Sequence, residues 1–176
     1  MNNQSIIFIM CGRKHSGKTH YIKQMLKTTF EAYPKLINDV NNEYNTGEPP
    51  PADIFIKTAK NIKNGVIVYE EATSMFGYQR DQTTAEVLTR SRHNGTVAFF
   101  CFHSVADIPR YIARNADFLI LFKTGDDIED IKTKFGRGEE KLIQAFLELK
   151  RAEWINAGTD EKGRAIYYSP HKVIEL

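Results

Sequence analysis

Residues 12–19 read GRKHSGKT and match the spacing G-x-x-x-x-G-K-[ST] of a phosphate-binding loop. In such a loop the glycines let backbone N–H groups point at phosphate oxygens, and the helix that follows adds its positive N-terminal end. Lys18 would reach the β and γ phosphates, and Thr19 would offer its hydroxyl to Mg²⁺. The pattern therefore predicts a nucleoside triphosphate site. Its predicted nucleotide contacts are Gly12, Arg13, Lys14, His15, Ser16, Gly17, Lys18 and Thr19.

Two adjacent carboxylates form the second candidate feature. Glu70 and Glu71 directly follow VIVY, 66–69, an apolar run typical of a buried strand. One acid at a strand end can hold Mg²⁺ through water, and the next can polarise an attacking water. We assign Glu70 to the metal and Glu71 to the water. A solvated acidic pair is the alternative interpretation, but the upstream phosphate-binding loop favours the catalytic one.

The acidic pair also bears on the type of reaction. A kinase must exclude water and present an acceptor, whereas a catalytic acid beside the metal acid suits hydrolysis. A guanine-specific site needs N-K-x-D after a strand, and KTGDD, 123–127, stands there instead. We therefore predict Mg²⁺-dependent ATP hydrolysis. A small nucleotide kinase stays as an alternative, although no lid-like arginine cluster supports it.

The elements that must position these residues alternate along the chain. Continuous apolar runs, typical of buried parallel strands, fall at 5–11, 35–39, 66–69, 96–102 and 117–122. Helical patterns fall between them at 18–30, 53–63, 82–93 and 105–114, with Pro109 in the first turn of the last helix or kinking it. The alternation predicts an α/β fold with a mostly parallel five-stranded central sheet and helices on both faces.

The pattern changes after residue 125. Two helices are predicted at 126–135 and 139–151, and two short β-like pieces around a polar turn in 154–170 predict a β-hairpin. No linker divides the chain, so we predict one domain, 1–176, with a nucleotide-binding core at 1–125 and an extension at 126–176. The extension is expected either to dock on a neighbouring subunit or another partner, or merely to cap the domain.

Composition bounds the remaining possibilities. The 176 residues suffice for one domain, and a net charge of +2 argues neither for nor against nucleic acid. Cys11 and Cys101 lie in apolar surroundings without metal-ligand spacing, so we interpret them as core residues of a reducing compartment. The N-terminal MNNQ and the short first apolar run predict neither a signal peptide nor a transmembrane segment. We therefore expect a cytoplasmic protein, in the host cytoplasm if it is viral.

Four segments together resemble the FtsK–HerA superfamily of ring-forming DNA-pumping ATPases. They are GRKHSGKT; NDVNNEY, which sets Asp39, Glu43 and Tyr44 in the pattern D-x-x-x-E-Y; VIVYEEA; and SRHNGTVAFFCFHSVADIPRYIARNADFLILF. The resemblance covers about residues 5–125. Two positions depart from the family pattern, which usually has Asp where Glu70 stands and Gln where His103 stands.

Within the superfamily, the chain resembles the genome-packaging ATPases of tailless, internal-membrane viruses and the related zonula-occludens-toxin-like phage assembly ATPases. The resemblance implies a RecA/ASCE-like fold, ATP and Mg²⁺ as cofactors, and a hexameric or pentameric ring. It implies DNA as a partner held by its backbone without sequence preference, with capsid vertex or viral membrane proteins as further partners. The implied function is an ATP-driven DNA translocation motor for viral genome packaging. A phage assembly or extrusion ATPase that acts on a coat or membrane partner is the alternative.

The resemblance also assigns roles to two residues. His103 takes the place of the sensor that reads the γ-phosphate from the end of the fourth strand. Arg92 takes the place of the arginine in R-x-x-G and would be the arginine finger that completes a neighbouring subunit's site. Arg90 is the first reserve, and Arg110 and Arg114 are weaker ones. Arg90 and Arg92 lie about 200° apart on a helix, so they cannot both face one partner.

Two further groups of residues keep alternative interpretations. Asp39 and the Glu43 that follows it are predicted either to tune the metal region or to form a turn. Lys57, Lys60 and Lys63 form a basic strip at helical spacing, either a DNA contact or a solvated helix face.

Overall fold

The computed structural model describes residues 5–77, 82–135, 140–151, 155–159, 165–168 and 172–175. Its strands are β1 (Ile6–Cys11), β2 (Lys35–Asn38), β3 (Val66–Tyr69), β4 (Val97–Phe102), β5 (Phe118–Leu121), β6 (Ile155–Thr159), β7 (Ala165–Tyr168) and β8 (Lys172–Glu175). Its helices are α1 (Lys18–Thr28), α2 (Ala52–Ala59), α3 (Ala72–Met75), α4 (Gln82–His93), α5 (Arg110–Ala113), α6 (Ile128–Phe135) and α7 (Glu140–Arg151). Among the helices of these ranges, none is long and apolar enough to cross a membrane.

The central sheet has the strand order β2-β3-β4-β1-β5-β8. The first five strands in this order are parallel, so the predicted five-stranded parallel sheet is confirmed. The last strand, β8, pairs antiparallel with β5 and extends the sheet by one strand that the sequence did not predict. β6 and β7 form a separate antiparallel pair, as expected of the predicted hairpin, while its turn at 160–164 lies outside the described residues.

The position of β4 between β1 and β3 brings the chemically important residues together. In the register, Cys11 of β1 pairs with Phe102 of β4, and Tyr69 of β3 pairs with Phe100 of β4. The carboxyl ends of the three strands therefore meet at one edge of the sheet. The phosphate-binding loop, His103 and the two glutamates follow these ends.

Alternation along the strands produces a core on each face of the sheet. Phe8 and Met10 of β1 pack with Ile22, Leu26 and Phe30 of the α1 segment on one face. The other face buries a larger set contributed by β1, β3, β4 and β5 and by the six helices α2 to α7, which includes Ile7, Ile9, Phe55, Leu88, Ile112, Ile131 and Phe146. The prediction of helices on both faces is thus confirmed.

Local differences from the predicted elements have local causes. The helix predicted at 105–114 begins only at Arg110, because Pro109 is extended, with φ −63° and ψ 135°, and stands at the N-cap. Pro109 thus lies just before the helix, where its missing N–H leaves no helical hydrogen bond unmade, so neither the first-turn nor the kinked placement of Pro109 occurs. The four-residue α3, directly after the acidic pair, is too short to give a periodic signal.

Candidate nucleotide site

The loop between β1 and α1 has a backbone shape that depends on glycine. Gly17 has φ 101°, in the left-handed region that favours glycine, and His15 also has a positive φ of 60°. A Cβ at Gly12 would lie 2.5 Å from Cβ of Phe122 and 2.8 Å from Oγ of Ser16. The loop is therefore packed directly on the end of β5. α1 begins at its last residues, where the first N–H groups of a helix have no intrahelical acceptor.

Polar groups of this loop converge on a cavity of about 250 Å³. Within the described chain, the buried Oγ of Ser16 has no hydrogen-bond partner. The ammonium group of Lys18 donates to the carbonyls of Gly12, at 2.5 Å, and Arg13, at 3.2 Å. These groups fit a polyphosphate, since they supply donors and one buried cation. The cavity is lined by His15, Ser16, Gly17, Lys18, Thr19, His20 and Glu43.

A hydroxyl and a carboxylate meet beside this cavity. Oγ1 of Thr19 donates to Oε1 of Glu70 at 2.6 Å, although the two residues are 51 positions apart. Both are hard oxygen donors of the kind that Mg²⁺ prefers, and Mg²⁺ commonly uses one or two protein carboxylates together with substrate phosphates. No cluster of three or more His, Cys, Asp or Glu side chains suited to a metal occurs in the described ranges. The donors fit a Mg²⁺ ion that is bound together with a nucleotide.

The second oxygen of Glu70 is also engaged. The hydroxyl of Tyr44 donates to Oε2 at 3.0 Å, and the thiol of Cys101 lies 3.6 Å from the same oxygen. Burial raises the pKa of Tyr44, and the negative charge of Glu70 raises it further. Burial likewise raises the pKa of Cys101. Both groups therefore stay protonated and can donate, which fixes the orientation of the Glu70 carboxylate.

The loop after β2 is organised by Asp39, which is fully buried. Its carboxylate accepts hydrogen bonds from the N–H groups of Glu43, at 2.6 Å, and Tyr44, at 2.9 Å. It also accepts from the N–H and the hydroxyl of Thr46, at 3.3 and 3.2 Å. These contacts match the turn-forming interpretation of Asp39. They also place Tyr44 on Glu70, a role that the sequence analysis missed even though Tyr44 stood in the D-x-x-x-E-Y pattern.

Glu71 lies against the residue at the end of β4. Nε2 of His103 is 3.0 Å from Oε2 and 3.2 Å from Oε1 of Glu71. The side-chain amide of Asn41 donates to Oε1 at 3.3 Å. Nδ1 of His103 is buried and has no hydrogen-bond partner among the described residues. The structure thus brings Glu71 and His103 together, and it adds Asn41 to the residues that sequence analysis had identified.

Asp126 connects the segments that follow β4 and β5. It accepts hydrogen bonds from the hydroxyls of Ser104 and Thr124 and from the N–H groups of Val105, at 2.8 Å, and Ala106, at 3.3 Å. Burial raises the pKa of Asp126, but the hydrogen bonds, led by those from Ser104 and Thr124, outweigh burial and lower it below its ordinary value. The turn directly after His103 is therefore held by a carboxylate that is stable in its charged form.

The candidate arginine fingers lie away from this site. Nη2 of Arg92 donates to the carbonyl of Asn115 at 2.7 Å and lies 3.6 Å from Oδ1 of Asp117. Arg90 and Arg92 both belong to the last turn of α4, which leads into the start of β4. A six-residue strand spans about 20 Å, so both arginines lie far from the loop of their own chain. An arginine finger at either position would therefore have to act on the site of another subunit.

The remaining basic candidates separate into two groups. Lys60 forms an ion pair with Glu86 at 2.8 Å, whereas Lys57 and Lys63 are exposed to solvent. Arg110 and Arg114 line a separate groove between α4 and α5.

No family model and no curated protein matches this chain. Among solved structures, the genome packaging NTPase B204 of Sulfolobus turreted icosahedral virus 2, in complex with ATPγS, aligns with a TM-score of 0.69 and 21% identity over 97% of this chain and 99% of that chain. B204, the DNA-packaging ATPase of Sulfolobus turreted icosahedral virus, aligns with a TM-score of 0.66 and 20% identity over 96% of this chain and 98% of that one.

A second kind of structure is also similar. The N-terminal domain of zonular occludens toxin from Neisseria meningitidis aligns with a TM-score of 0.50 and 15% identity, over 66% of this chain and 76% of that chain. The structural neighbours therefore come from both groups of ATPases that the four sequence segments resemble, and this chain has the α/β fold of the viral genome-packaging NTPases.

Proposed function

We propose that this chain is a Mg²⁺-dependent ATPase that drives DNA translocation, as the motor of viral genome packaging, in a hexameric or pentameric ring. The observation that carries the proposal is the division of the acidic pair. Glu70 is bonded to Thr19 of the phosphate-binding loop, while Glu71 is bonded to His103 at the end of the neighbouring strand. The fold is similar to that of the packaging NTPases over nearly the whole length of this chain and of theirs, and this similarity supports the proposed function.

The geometry supports a division of labour among these side chains. Lys18, which bonds carbonyls of its own loop, would exchange them for the β and γ phosphates. Thr19 and Glu70 would hold Mg²⁺, which neutralises phosphate charge when it is bound. Glu71 would accept the proton of the attacking water, because it lies next to the metal ligand but is held by different partners. His103 would orient Glu71 and contact the γ-phosphate.

Steady-state ATP hydrolysis tests the proposal, measured with no DNA, with double-stranded DNA and with single-stranded DNA. We expect hydrolysis that requires Mg²⁺, that DNA stimulates, and that Glu71→Gln lowers by a factor of about 10² or more. The Glu71→Gln protein also controls for contaminating ATPases. Assembled rings that do not hydrolyse ATP would contradict the proposal.

An assembly or extrusion ATPase is the second candidate function. The likeness to the N-terminal domain of zonular occludens toxin favours it, although that likeness covers a smaller part of the chain. Such an enzyme would act on a coat or membrane protein and would not move along DNA. Strong hydrolysis that neither form of DNA changes would favour this candidate over the motor.

A further inference from the structure

A polar groove between α4 and α5 shares no lining residue with the cavity at the phosphate-binding loop. Its volume is about 530 Å³, against about 250 Å³ for the cavity at the phosphate-binding loop. A volume of this size accommodates a ligand as large as a nucleotide. The groove is lined by Ala85, Leu88, Thr89, Arg110, Tyr111, Arg114 and Asn115.

The charge of this groove is positive and unopposed along its lining. Arg110 and Arg114 are four residues apart and both are exposed, so they lie one helical turn apart on the same side of α5. Within the part of the chain that the structure describes, neither guanidinium has a hydrogen-bond or ion-pair partner. None of the described lining residues is acidic. Two arginines without a carboxylate partner leave a site for an external anion.

Further charged groups stand at the two ends of the groove. At one end, Arg92 is bonded to the carbonyl of Asn115, a lining residue, so a third guanidinium lies close by. At the other end, burial and the charge of Arg110 lower the pKa of Lys134, while Asp107 acts in the opposite direction. Because Arg92 is itself paired with Asp117, the positive charge without a carboxylate partner is that of Arg110 and Arg114.

Part of the lining of the groove is apolar or aromatic. Leu88 is buried, and Ala85 lies one turn before it on the same helix. The hydroxyl of Tyr111 donates to the carbonyl of Gly77 at 3.1 Å, which restrains the orientation of its ring. A strand of nucleic acid presents this combination of partners, with phosphates for guanidinium groups and with sugars and bases for apolar and aromatic surfaces.

We propose that the groove between α4 and α5 binds the sugar-phosphate backbone of a nucleic acid strand, with Arg110 and Arg114 on neighbouring phosphates and Tyr111 against a sugar or base. The inference rests on the proposed function and adds the place of contact. One helical turn advances about 5.4 Å, which suits two consecutive phosphates better than one. The alternative basic strip, Lys57, Lys60 and Lys63, is weaker, because α2 ends at Ala59 and Lys60 at the centre of the strip is already paired with Glu86.

Two charge-matched double variants test this assignment. Arg110→Gln with Arg114→Gln removes the two guanidinium groups of the groove, and Lys57→Gln with Lys63→Gln removes two exposed positive charges elsewhere. Binding to labelled double-stranded and single-stranded oligonucleotides of mixed sequence is measured by fluorescence anisotropy at several salt concentrations. Thermal melting and the affinity for an ATP analogue show that each variant keeps its fold and its nucleotide site.

The groove variant should bind DNA about tenfold or more weakly at about 0.1 M salt, because two phosphate contacts are lost. The slope of the logarithm of the binding constant against the logarithm of the salt concentration should fall in magnitude by about 1.5. Each of the two lost phosphate contacts accounts for about 0.7–0.9 of this decrease. The lysine variant should stay within about twofold of the wild type, since exposed charges off the binding path contribute little.

The outcomes that would overturn the inference are separable from those that concern the motor. If the wild-type protein binds DNA and the groove variant binds equally well, only the inference fails. If the wild-type protein binds no DNA, both the inference and the motor function fail. If the groove variant keeps its DNA affinity but loses ATP hydrolysis in rings without DNA, the groove contacts a neighbouring subunit and the nucleic-acid assignment is wrong.

Discussion

At the scale of single residues, two adjacent glutamates have different surroundings. Glu70 is only 6% exposed and its oxygens are bonded to Thr19 and Tyr44. Glu71 is more exposed and is bonded to His103 and Asn41. Neighbouring residues at the end of a strand point to different sides, so one carboxylate faces the phosphate-binding loop while the other faces His103.

Tyr44→Phe tests how Glu70 is held. The change removes one donor to Oε2 of Glu70 but keeps the ring that lies 5.4 Å from the ammonium group of Lys23. A less firmly oriented ligand should raise the Mg²⁺ concentration for half-maximal hydrolysis several-fold and lower the free energy of unfolding by about 1 kcal/mol. A Mg²⁺ titration of hydrolysis measures the first effect. Tyr33→Phe, at a partly exposed tyrosine, is the control, and an unchanged Mg²⁺ requirement in Tyr44→Phe would refute the role.

The sequence was sufficient to place some residues of the candidate site together and not others, while the roles of all of them stay predictions. Lys18, Thr19 and Glu70 could be predicted because a loop motif and a strand end define their positions locally. Tyr44 and Asn41 could not, because their partners depend on the path of the loop after β2. That path is determined by the hydrogen bonds of Asp39, which have no periodic signature.

At the scale of elements, the phosphate-binding loop depends on its contact with β5. Gly12→Ala would place a Cβ 2.5 Å from Cβ of Phe122, which forces the loop or the strand end to move. We expect the affinity for an ATP analogue to fall about tenfold or more, with a lower melting temperature, since overpacking costs about 1–3 kcal/mol. Calorimetric titration and thermal melting measure these effects. Gly125→Ala is the matched control because nothing lies within 4 Å of its Cβ position, and equal behaviour of the two variants would exclude the packing argument.

The turn after β4 should be sensitive to acid through Asp126. Its pKa is lower in the folded chain than its ordinary value of about 3.9, so the unfolded chain binds the proton more tightly. The charged carboxylate therefore stabilises the fold above about pH 4, and this contribution is lost as the pH falls through the folded pKa.

Asp126→Asn should accordingly be clearly less stable than the wild type at pH 7 and should approach it below about pH 4. Urea unfolding at pH 7, 5 and 3.5 measures the difference. Asp53→Asn, at an exposed position in the first turn of α2, is the control. A difference that stays constant with pH would show that Asp126 acts through packing and not through its charge.

Strands and helices were predicted correctly where a pattern within the segment itself indicates them. The five parallel strands were predictable because strands buried on both faces are continuous apolar runs, such as VAFFCF in β4. The late start of α5 and the short α3 were missed, since a proline and a four-residue length leave little periodicity. β8 was missed because four residues at a sheet edge give no apolar run. The place of β4 between β1 and β3 depends on pairing between distant segments and has no local signal.

At the scale of the whole molecule, Arg92 and Glu71 lie at opposite ends of the sheet, so a site that uses both must join two subunits. Glu71→Gln and Arg92→Gln should each be inactive as pure proteins. Mixed rings should recover activity, because one subunit supplies Glu71 and its neighbour supplies Arg92. With random mixing of equal amounts, about a quarter of the interfaces would be complete.

The measurement is ATP hydrolysis as a function of the mixing ratio, after exchange of subunits has been verified with differently tagged chains. A maximum near equal amounts is expected. No recovery in rings that demonstrably contain both variants would rule out Arg92 as the finger. If Arg90→Gln is inactive as a pure protein and its mixed rings with Glu71→Gln recover activity, Arg90 is the finger; an active pure Arg90→Gln protein would exclude it.

β4 is one unbroken stretch of six buried residues, paired along its whole length with β1 and over its first four residues with β3. His103 follows one end of it, and Arg92 precedes the other by a short turn. Such a strand resists stretching because its hydrogen bonds to the neighbouring strands fix its extended backbone, so a displacement at one end would move the other end. In a ring where Arg92 serves the next subunit's site, release of phosphate beside His103 would be transmitted as a displacement of this chain's own Arg92 within that neighbouring site. The order in which the subunits hydrolyse ATP would then depend on the position of a single strand.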